Sequence, residues 1–103
     1  MIISSRKKDY DMDRKIHVSV IVPAHNEEKY VKRCIDSIKE SASHFKGNVE
    51  TIIVCNRCTD RMAEIAKDNG AVVVANEDRC IAKVRNAGIK IARGKIIITI
   101  DCD

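Results

Sequence analysis

The stretch "HVSVIVPAHNEE", residues 17–28, decides the fold expected for this chain of 103 residues. It opens with a short apolar run that Pro23 ends, a pattern typical of a buried strand. Polar residues follow directly, and from Val31 onward apolar residues recur at helical spacing. A strand that leads at once into a helix indicates a β-α unit of a parallel sheet.

The same alternation continues through the rest of the sequence. Predicted strands cover residues 17–23, 49–55, 71–75 and 95–100, and predicted helices cover residues 26–41, 59–70 and 80–94. Each strand is a continuous apolar run, as burial on both faces requires. We therefore predict an α/β fold. It is a three-layer, Rossmann-like sandwich with a four-stranded parallel sheet, whose strands, counted along the chain, have the order 3-2-1-4.

Two residues carry local expectations within this pattern. Asn26 is a favourable N-cap for the first predicted helix, because its side-chain oxygen can accept a hydrogen bond from the first helical turn. Gly88 lies inside the third predicted helix, where it lowers helix stability. We expect that glycine to mark a close approach between the helix and the sheet.

Composition limits the classes of protein to consider. Residues 1–15 are charged and aperiodic, so we expect a flexible tail there and one domain over residues 16–103. No apolar run approaches a membrane span, and no secretory signal is visible, which favours a cytoplasmic protein. The net charge of +4 and the aromatic content of 3% do not favour a nucleic-acid partner.

Three polar segments follow strands that should lie side by side: residues 23–28 ("PAHNEE"), 55–60 ("CNRCTD") and 101–103 ("DCD"). Ligands bind beyond the carboxyl ends of the strands where the strand order reverses. Asp101 and Asp103 point to one side of an extended chain, and a divalent cation between them would relieve their repulsion. The alternative is two solvated acids, with "PAHNEE" as only a turn and a helix cap.

The cysteines allow other interpretations. Cys55 and Cys58 form a C-x-x-C between a strand and a helix, which could be a redox pair or, with Cys80 or Cys102, part of a zinc site. A second C-x-x-C and the surroundings of a thioredoxin-like site are missing from the sequence, so both interpretations are disfavoured. Neither a P-loop nor a G-x-G-x-x-G fingerprint is present. Cys34 lies on the apolar face of a predicted helix, which indicates that it belongs to the hydrophobic core.

In order, three segments resemble the nucleotide-binding half of a family 2 glycosyltransferase with the GT-A fold. They are "VSVIVPAHNEEKYVKRCIDSI", "VETIIVCNRCTDRMAEIAKDNGAVVV" and "VRNAGIKIARGKIIITIDCD". This chain has "CNRCTD" where members of that family typically have "DDGSTD", and its "DCD" matches the family's D-x-D motif. The resemblance implies transfer of a sugar from a nucleotide-diphospho-sugar to an acceptor, with Mg²⁺ or Mn²⁺ as cofactor.

The resemblance also implies roles for individual residues. It places nucleotide contacts at Pro23, His25, Glu27, Asn56, Arg85 and Asp101, and metal ligands at Asp101 and Asp103. Asn56 stands where an acid usually reads the edge of the base. Because asparagine both donates and accepts, the identity of the base stays open.

The catalytic base and the acceptor site lie beyond D-x-D in the family, so we expect a donor-binding half that is inactive alone. The alternatives are a nucleotide-binding or interaction module without catalysis, and a thiol-redox protein using Cys55 and Cys58. The outer edge of the strand over residues 95–100 is expected to be open. An open apolar edge predicts a homodimer formed by antiparallel pairing of two copies.

Overall fold

The computed structural model describes the backbone of residues 2–5 and all of residues 16–102. Within these residues the strands are β1 (Ile2–Ser5), β2 (Val18–Ala24), β3 (Val49–Asn56), β4 (Val72–Asn76) and β5 (Ile96–Thr99). The helices are α1 (Val31–Ala42), α2 (Met62–Asp68) and α3 (Ile81–Ile91). The strands and helices differ from the predicted ranges mainly at their ends, where caps and turns compete with regular structure.

The parallel part of the sheet has the order β4-β3-β2-β5. These four strands are the predicted ones, so the α/β class and the order 3-2-1-4 are confirmed. Strand β2 is central: Ile21 pairs with Ile52 of β3 on one side and with Thr99 of β5 on the other. The direction in which successive strands are added to the sheet therefore reverses between β2 and β5, as the sequence pattern predicts.

A fifth strand lies where the sequence predicted only a tail. Strand β1 pairs antiparallel with β5, with Ile2 opposite Thr99 and Ser5 opposite Ile96. The tail prediction is therefore wrong for residues 2–5, and residues 6–15 lie outside the described residues. The prediction of an open edge is also wrong, because β1 satisfies the exposed backbone groups of β5. The homodimer through residues 95–100 stays a prediction, but the open strand edge from which it was predicted is occupied by β1.

Helices cover both faces of the sheet, which completes the three layers. On one face α1 and α2 pack over a core that includes Val20, Val22, Ile35 and Met62. On the other face α3 packs over Ile21, Ile52 and Val54. A Cβ at Gly88 would lie 2.6 Å from Ile21 Cγ2 and 2.9 Å from Val54 Cγ2. The predicted close approach at Gly88 is therefore confirmed.

A buried carboxylate organises the amino-terminal end of the sheet. Glu50 Oε2 accepts hydrogen bonds from Ser19 Oγ at 2.6 Å and from the Arg93 backbone N–H at 2.7 Å. Its Oε1 accepts from Arg93 Nε at 3.3 Å, and Ser19 Oγ accepts from the Gly94 N–H at 2.8 Å. Because burial leaves a carboxylate dependent on such partners, this network fixes the α3–β5 connection to the sheet.

Candidate functional site

The carboxyl ends of β2, β3 and β5 lie along one edge of the sheet because these neighbouring strands are parallel. Ala24 pairs with Cys55, so the loops that follow β2 and β3 start side by side. The last β2–β5 pair joins Ile21 to Thr99, and Pro23 and Asp101 each lie two residues further along. Proline has no N–H to extend the ladder, so the two strands end their pairing here.

Asn26 joins the loop after β2 to the loop after β3. Its Oδ1 accepts hydrogen bonds from the backbone N–H groups of Thr59 at 2.8 Å and Asp60 at 3.2 Å. Its backbone has a φ of +49°, a left-handed conformation that asparagine tolerates better than most residues. The prediction that Asn26 caps the first helix is wrong: α1 begins at Val31, and the Asn26 oxygen serves the segment leading into α2.

Asp60 reinforces the same junction. Its Oδ2 accepts a hydrogen bond from the Glu28 N–H at 3.0 Å, and its Oδ1 accepts from the Met62 N–H at 3.0 Å. One carboxylate therefore holds the first loop and the start of α2 together. The predicted helix over residues 59–70 accounts for the contact with Met62 but not for the contact with Glu28, which joins residues far apart in the sequence.

Pro23, His25 and Glu27 lie on the first of these loops. His25 is exposed, and its Nδ1 lies 2.7 Å from the backbone carbonyl oxygen of Asn56. A carbonyl only accepts, so Nδ1 carries the proton in this contact and Nε2 is left as an acceptor in the neutral ring. Glu27 is half-buried, and within the described residues its carboxylate has no hydrogen-bond partner.

The Asn56 side chain is buried and holds the loop after β4. Its amide nitrogen donates to the carbonyl oxygens of Asp78 at 2.7 Å and Asn76 at 3.1 Å. Its Oδ1 accepts from Arg57 Nε at 3.4 Å. With both amide hydrogens engaged, Asn56 can offer a ligand an acceptor oxygen but not a donor.

Arg57 occupies the position that is glycine in the "DDGSTD" pattern. Its φ is +50°, which an L side chain adopts at a cost of roughly 1–2 kcal/mol. The backbone N–H donates to the Asn76 carbonyl at 2.9 Å, which holds the chain in this conformation. No sequence signal other than the departure from the glycine pattern marks Arg57.

The remaining predicted site residues are less closely joined. Asp101 is exposed at the end of β5, whereas Asp103 lies outside the described residues. Arg85 is half-buried on α3, the helix opposite α1 and α2, without a hydrogen bond or ion pair to another described residue. Within the described part of the chain, no three His, Cys, Asp or Glu residues form a group that could hold a metal.

Two pairs of thiols lie near this edge, and no disulfide joins any of the five cysteines, all of which are described. Burial, reinforced by Cys58, raises the pKa of the Cys55 thiol to about 12. That shift opposes the thiolate that a redox C-x-x-C requires. In the other pair, a hydrogen bond with Cys102 lowers the pKa of Cys34, and burial opposes this effect.

A groove of about 750 Å³ lies between α1 and β5. Its walls are mostly apolar and include Phe45 and Ile98, while Arg33, Asp101 and Cys102 supply polar groups. The groove contacts the candidate site through Asp101 and Cys102, whereas His25, Glu27 and Asn56 are not among the residues lining it. The loops joined by Asn26 thus form a separate, more polar surface.

Comparison with known proteins gives a consistent result. The family model described as glycosyl transferase family 2 matches residues 19–103. The putative glycosyltransferase EpsH of Bacillus subtilis (strain 168) is 35% identical over 91 residues, which cover 84% of this chain and 26% of that protein. This chain therefore spans about a quarter of that relative's length.

Solved structures agree with the predicted fold. Glucosyl-3-phosphoglycerate synthase from Mycobacterium tuberculosis, in complex with Mn²⁺, UDP and glucosyl-3-phosphoglycerate, has a TM-score of 0.72 and 28% identity, over 85% of this chain and 34% of that chain. TarS 1–349 of S. aureus gives a TM-score of 0.73 and 27% identity over 85% of this chain and 28% of that chain. Among the described residues, no helix is long and apolar enough to cross a membrane.

Proposed function

This chain belongs to glycosyl transferase family 2, and on that premise we propose that its carboxyl-end loops bind the nucleotide diphosphate of a sugar donor. The observation that carries the proposal is the junction of the loop of His25 and Glu27 with the loop of Asn56, beside the strand that ends at Asp101. These loops are fixed to each other by Asn26 and Asp60, so the surface is ordered before a ligand arrives.

We assign the nucleoside to the surface formed by Pro23, His25 and Glu27. With Nδ1 donating to Asn56, the His25 ring offers an acceptor at Nε2 whenever the ring is neutral. The Glu27 carboxylate offers acceptors for ribose hydroxyl groups or base N–H groups. The Asn56 oxygen can accept from a base N–H, in competition with Arg57. We propose Arg85, on α3, as a cation for the diphosphate.

Asp101 and Asp103 are the proposed ligands of Mg²⁺ or Mn²⁺. Carboxylate oxygens are ligands that these hard cations prefer, and oxygens of the diphosphate would complete the coordination of a metal held by two carboxylates. When bound, such a metal neutralises negative charge on the leaving diphosphate. The synthase of M. tuberculosis, solved with Mn²⁺ and UDP, supports this pairing by similarity.

Donor binding is the part of the reaction that we assign to residues 16–103. Sugar transfer also needs a base for the acceptor hydroxyl and a surface for the acceptor. We assign neither to a described residue, and we expect this chain alone to bind the donor without transferring the sugar.

Isothermal calorimetry tests the proposal. UDP and GDP are titrated into the protein with Mn²⁺ and, separately, with a chelator. We expect measurable binding only with the metal, because Asp101 contacts the diphosphate through it. The Asp101→Asn variant should bind at least about tenfold more weakly, since one charged ligand is lost.

Asp36→Asn is the matched control, because it removes the same charge from an exposed aspartate on α1 whose one ion pair among the described residues is with Lys32. It should bind like the parent. Equal affinities for the parent and the Asp101→Asn variant would remove Asp101 from the site. Absence of heat with both nucleotides would overturn the proposed function.

A further inference from the structure

Cys34 of α1 and Cys102, the middle residue of "DCD", both line the groove between α1 and β5 and pack against the same core. Their thiols are hydrogen-bonded, although 67 residues separate them in the sequence. Both are half-buried. Two thiols within hydrogen-bonding reach can form a disulfide after a shift of one or both residues, because the S–S bond is shorter than the hydrogen bond.

We propose that Cys34 and Cys102 form a site of reversible oxidation, at which a peroxide converts the two thiols into a disulfide that ties the segment after β5 to α1. The open groove gives a small oxidant access to both sulfur atoms. Cys55 differs because it is only 5% exposed within the core. Cys80 is exposed and is not among the residues that line the groove.

Hydrogen peroxide is the oxidant that removes two electrons from the two thiols. One thiol sulfur attacks a peroxide oxygen, the O–O bond breaks, and a sulfenic acid and one water form. The second thiol then attacks that sulfur, the S–O bond breaks, and a second water leaves as the S–S bond forms. Two cysteines lose two electrons and two protons, and a dithiol reductant reverses the step.

The disulfide acts on the nucleotide site through Asp101, which precedes Cys102. A disulfide bond of about 2.0 Å is shorter than a hydrogen bond between two sulfur atoms. Oxidation therefore draws Cys102 toward α1 and moves Asp101 with it. This consequence rests on the proposed function. We expect affinity for UDP with Mn²⁺ to fall by about tenfold, since a displacement of ~1 Å is enough to weaken a positioned contact.

Peptide mapping tests the oxidation directly. Trypsin releases every cysteine in a different peptide, with Cys34 in 34–39 and Cys102 in 96–103. The protein is treated with hydrogen peroxide, alkylated and digested without reduction. We expect the peptides 34–39 and 96–103 to be linked in a monomeric product. Dithiothreitol should release them.

Two variants control the experiment. Cys34→Ser should abolish the link, while the double variant Cys55→Ser, Cys58→Ser should retain it. A main product linking Cys55 to Cys58, or a link between two molecules, would overturn the proposed site.

Calorimetry then separates this inference from the proposed function. The oxidised parent should bind UDP with Mn²⁺ about tenfold more weakly than the reduced parent, and Cys34→Ser should be insensitive to peroxide. A disulfide that leaves the affinity unchanged would disprove its effect on the site. If neither redox state binds UDP or GDP, the proposed function fails, whereas the peptide map still decides the oxidation site.

Discussion

The two ends of the parallel sheet use polar residues in opposite ways. At the amino end, Glu50 is buried and each of its oxygens accepts a hydrogen bond from Ser19 or Arg93. At the carboxyl end, His25 and Asp101 are exposed, and the Glu27 carboxylate has no hydrogen-bond partner among the described residues.

The difference lies in which polar groups have their hydrogen-bond acceptors occupied among the described residues. The Glu50 network has its acceptors occupied, so it stabilises the sheet but has little left to offer a ligand. At the carboxyl end, Asn26 and Asp60 make the structural contacts, and neighbouring side chains keep their acceptors available. Substitutions at the two ends should therefore separate loss of stability from loss of binding, and the following predictions are ordered from the largest effect on stability to the smallest.

The largest effect is expected from Glu50→Ala. Removing the carboxylate leaves the Ser19 hydroxyl and the Arg93 backbone N–H without their acceptor. Because each buried donor left unsatisfied costs roughly 1–3 kcal/mol, the free energy of unfolding should fall by about 3–5 kcal/mol. Urea unfolding measures it. Glu64→Ala is the control, because Glu64 forms an exposed pair with Arg61 and should change stability by about 1 kcal/mol or less. Similar losses for both variants would contradict the structural role of Glu50.

Asn26→Ala should have the next largest effect. It removes the oxygen that accepts from Thr59 and Asp60 and leaves alanine in a left-handed conformation, so we expect a loss of about 2 kcal/mol. Asn26→Asp retains an acceptor oxygen and should lose less than about 1 kcal/mol. Thermal unfolding compares the two variants. Equal losses would mean that the contacts with Thr59 and Asp60 contribute little.

The raised pKa of the Cys55 thiol predicts that the free energy of unfolding falls at alkaline pH. Its pKa is raised from the ordinary value of 9.0 to about 12 in the folded protein. The unfolded chain therefore releases this proton first, and stability falls as the pH rises from 9 toward 12, by roughly 1 kcal/mol at pH 10.

Urea unfolding at pH 8 and pH 10 measures this change. Cys55→Ala should lose less stability than the parent between the two pH values, whereas Cys80→Ala should behave like the parent. Identical pH dependence for the parent and Cys55→Ala would show that this thiol is not the cause.

Arg57→Gly should have a small effect of the opposite sign. Glycine adopts a φ of +50° without the steric cost that an arginine carries, although it gains more freedom in the unfolded chain. We expect a gain of about 0.5–1 kcal/mol in thermal unfolding. Arg79→Gly, in an exposed loop without positive φ, should give no gain. A loss of stability in Arg57→Gly would mean that its side-chain contact with Asn56 outweighs the backbone strain.

Much of the fold could be predicted from sequence because it depends on local patterns. Continuous apolar runs identified the four parallel strands, and Gly88 marked the close contact of α3 with Ile21. Strand β1 was missed because four residues give little periodicity, and their pairing with β5 depends on an edge formed far along the chain.

The candidate site was predictable at the level of its loops but not of its contacts. Parallel strand order alone brings the loops after β2, β3 and β5 to one edge. The contacts of Asn26 with Thr59, and of Glu50 with Arg93, join residues more than 30 positions apart, and no local pattern identifies the partner. Asn26 also has a left-handed backbone conformation, which asparagine tolerates but which the neighbouring residues in the sequence do not predict.

We propose that nucleotide and metal bind at the carboxyl end of the sheet and leave the amino end unchanged. Nuclear magnetic resonance with UDP and paramagnetic Mn²⁺ distinguishes the two ends, with Mg²⁺ as the diamagnetic control. We predict that the backbone amide signals of His25, Asn26 and Asp101 broaden with Mn²⁺, and that those of Glu50 and Gly94 do not. Broadening centred on Glu50 and Gly94, or none that depends on UDP, would contradict the account.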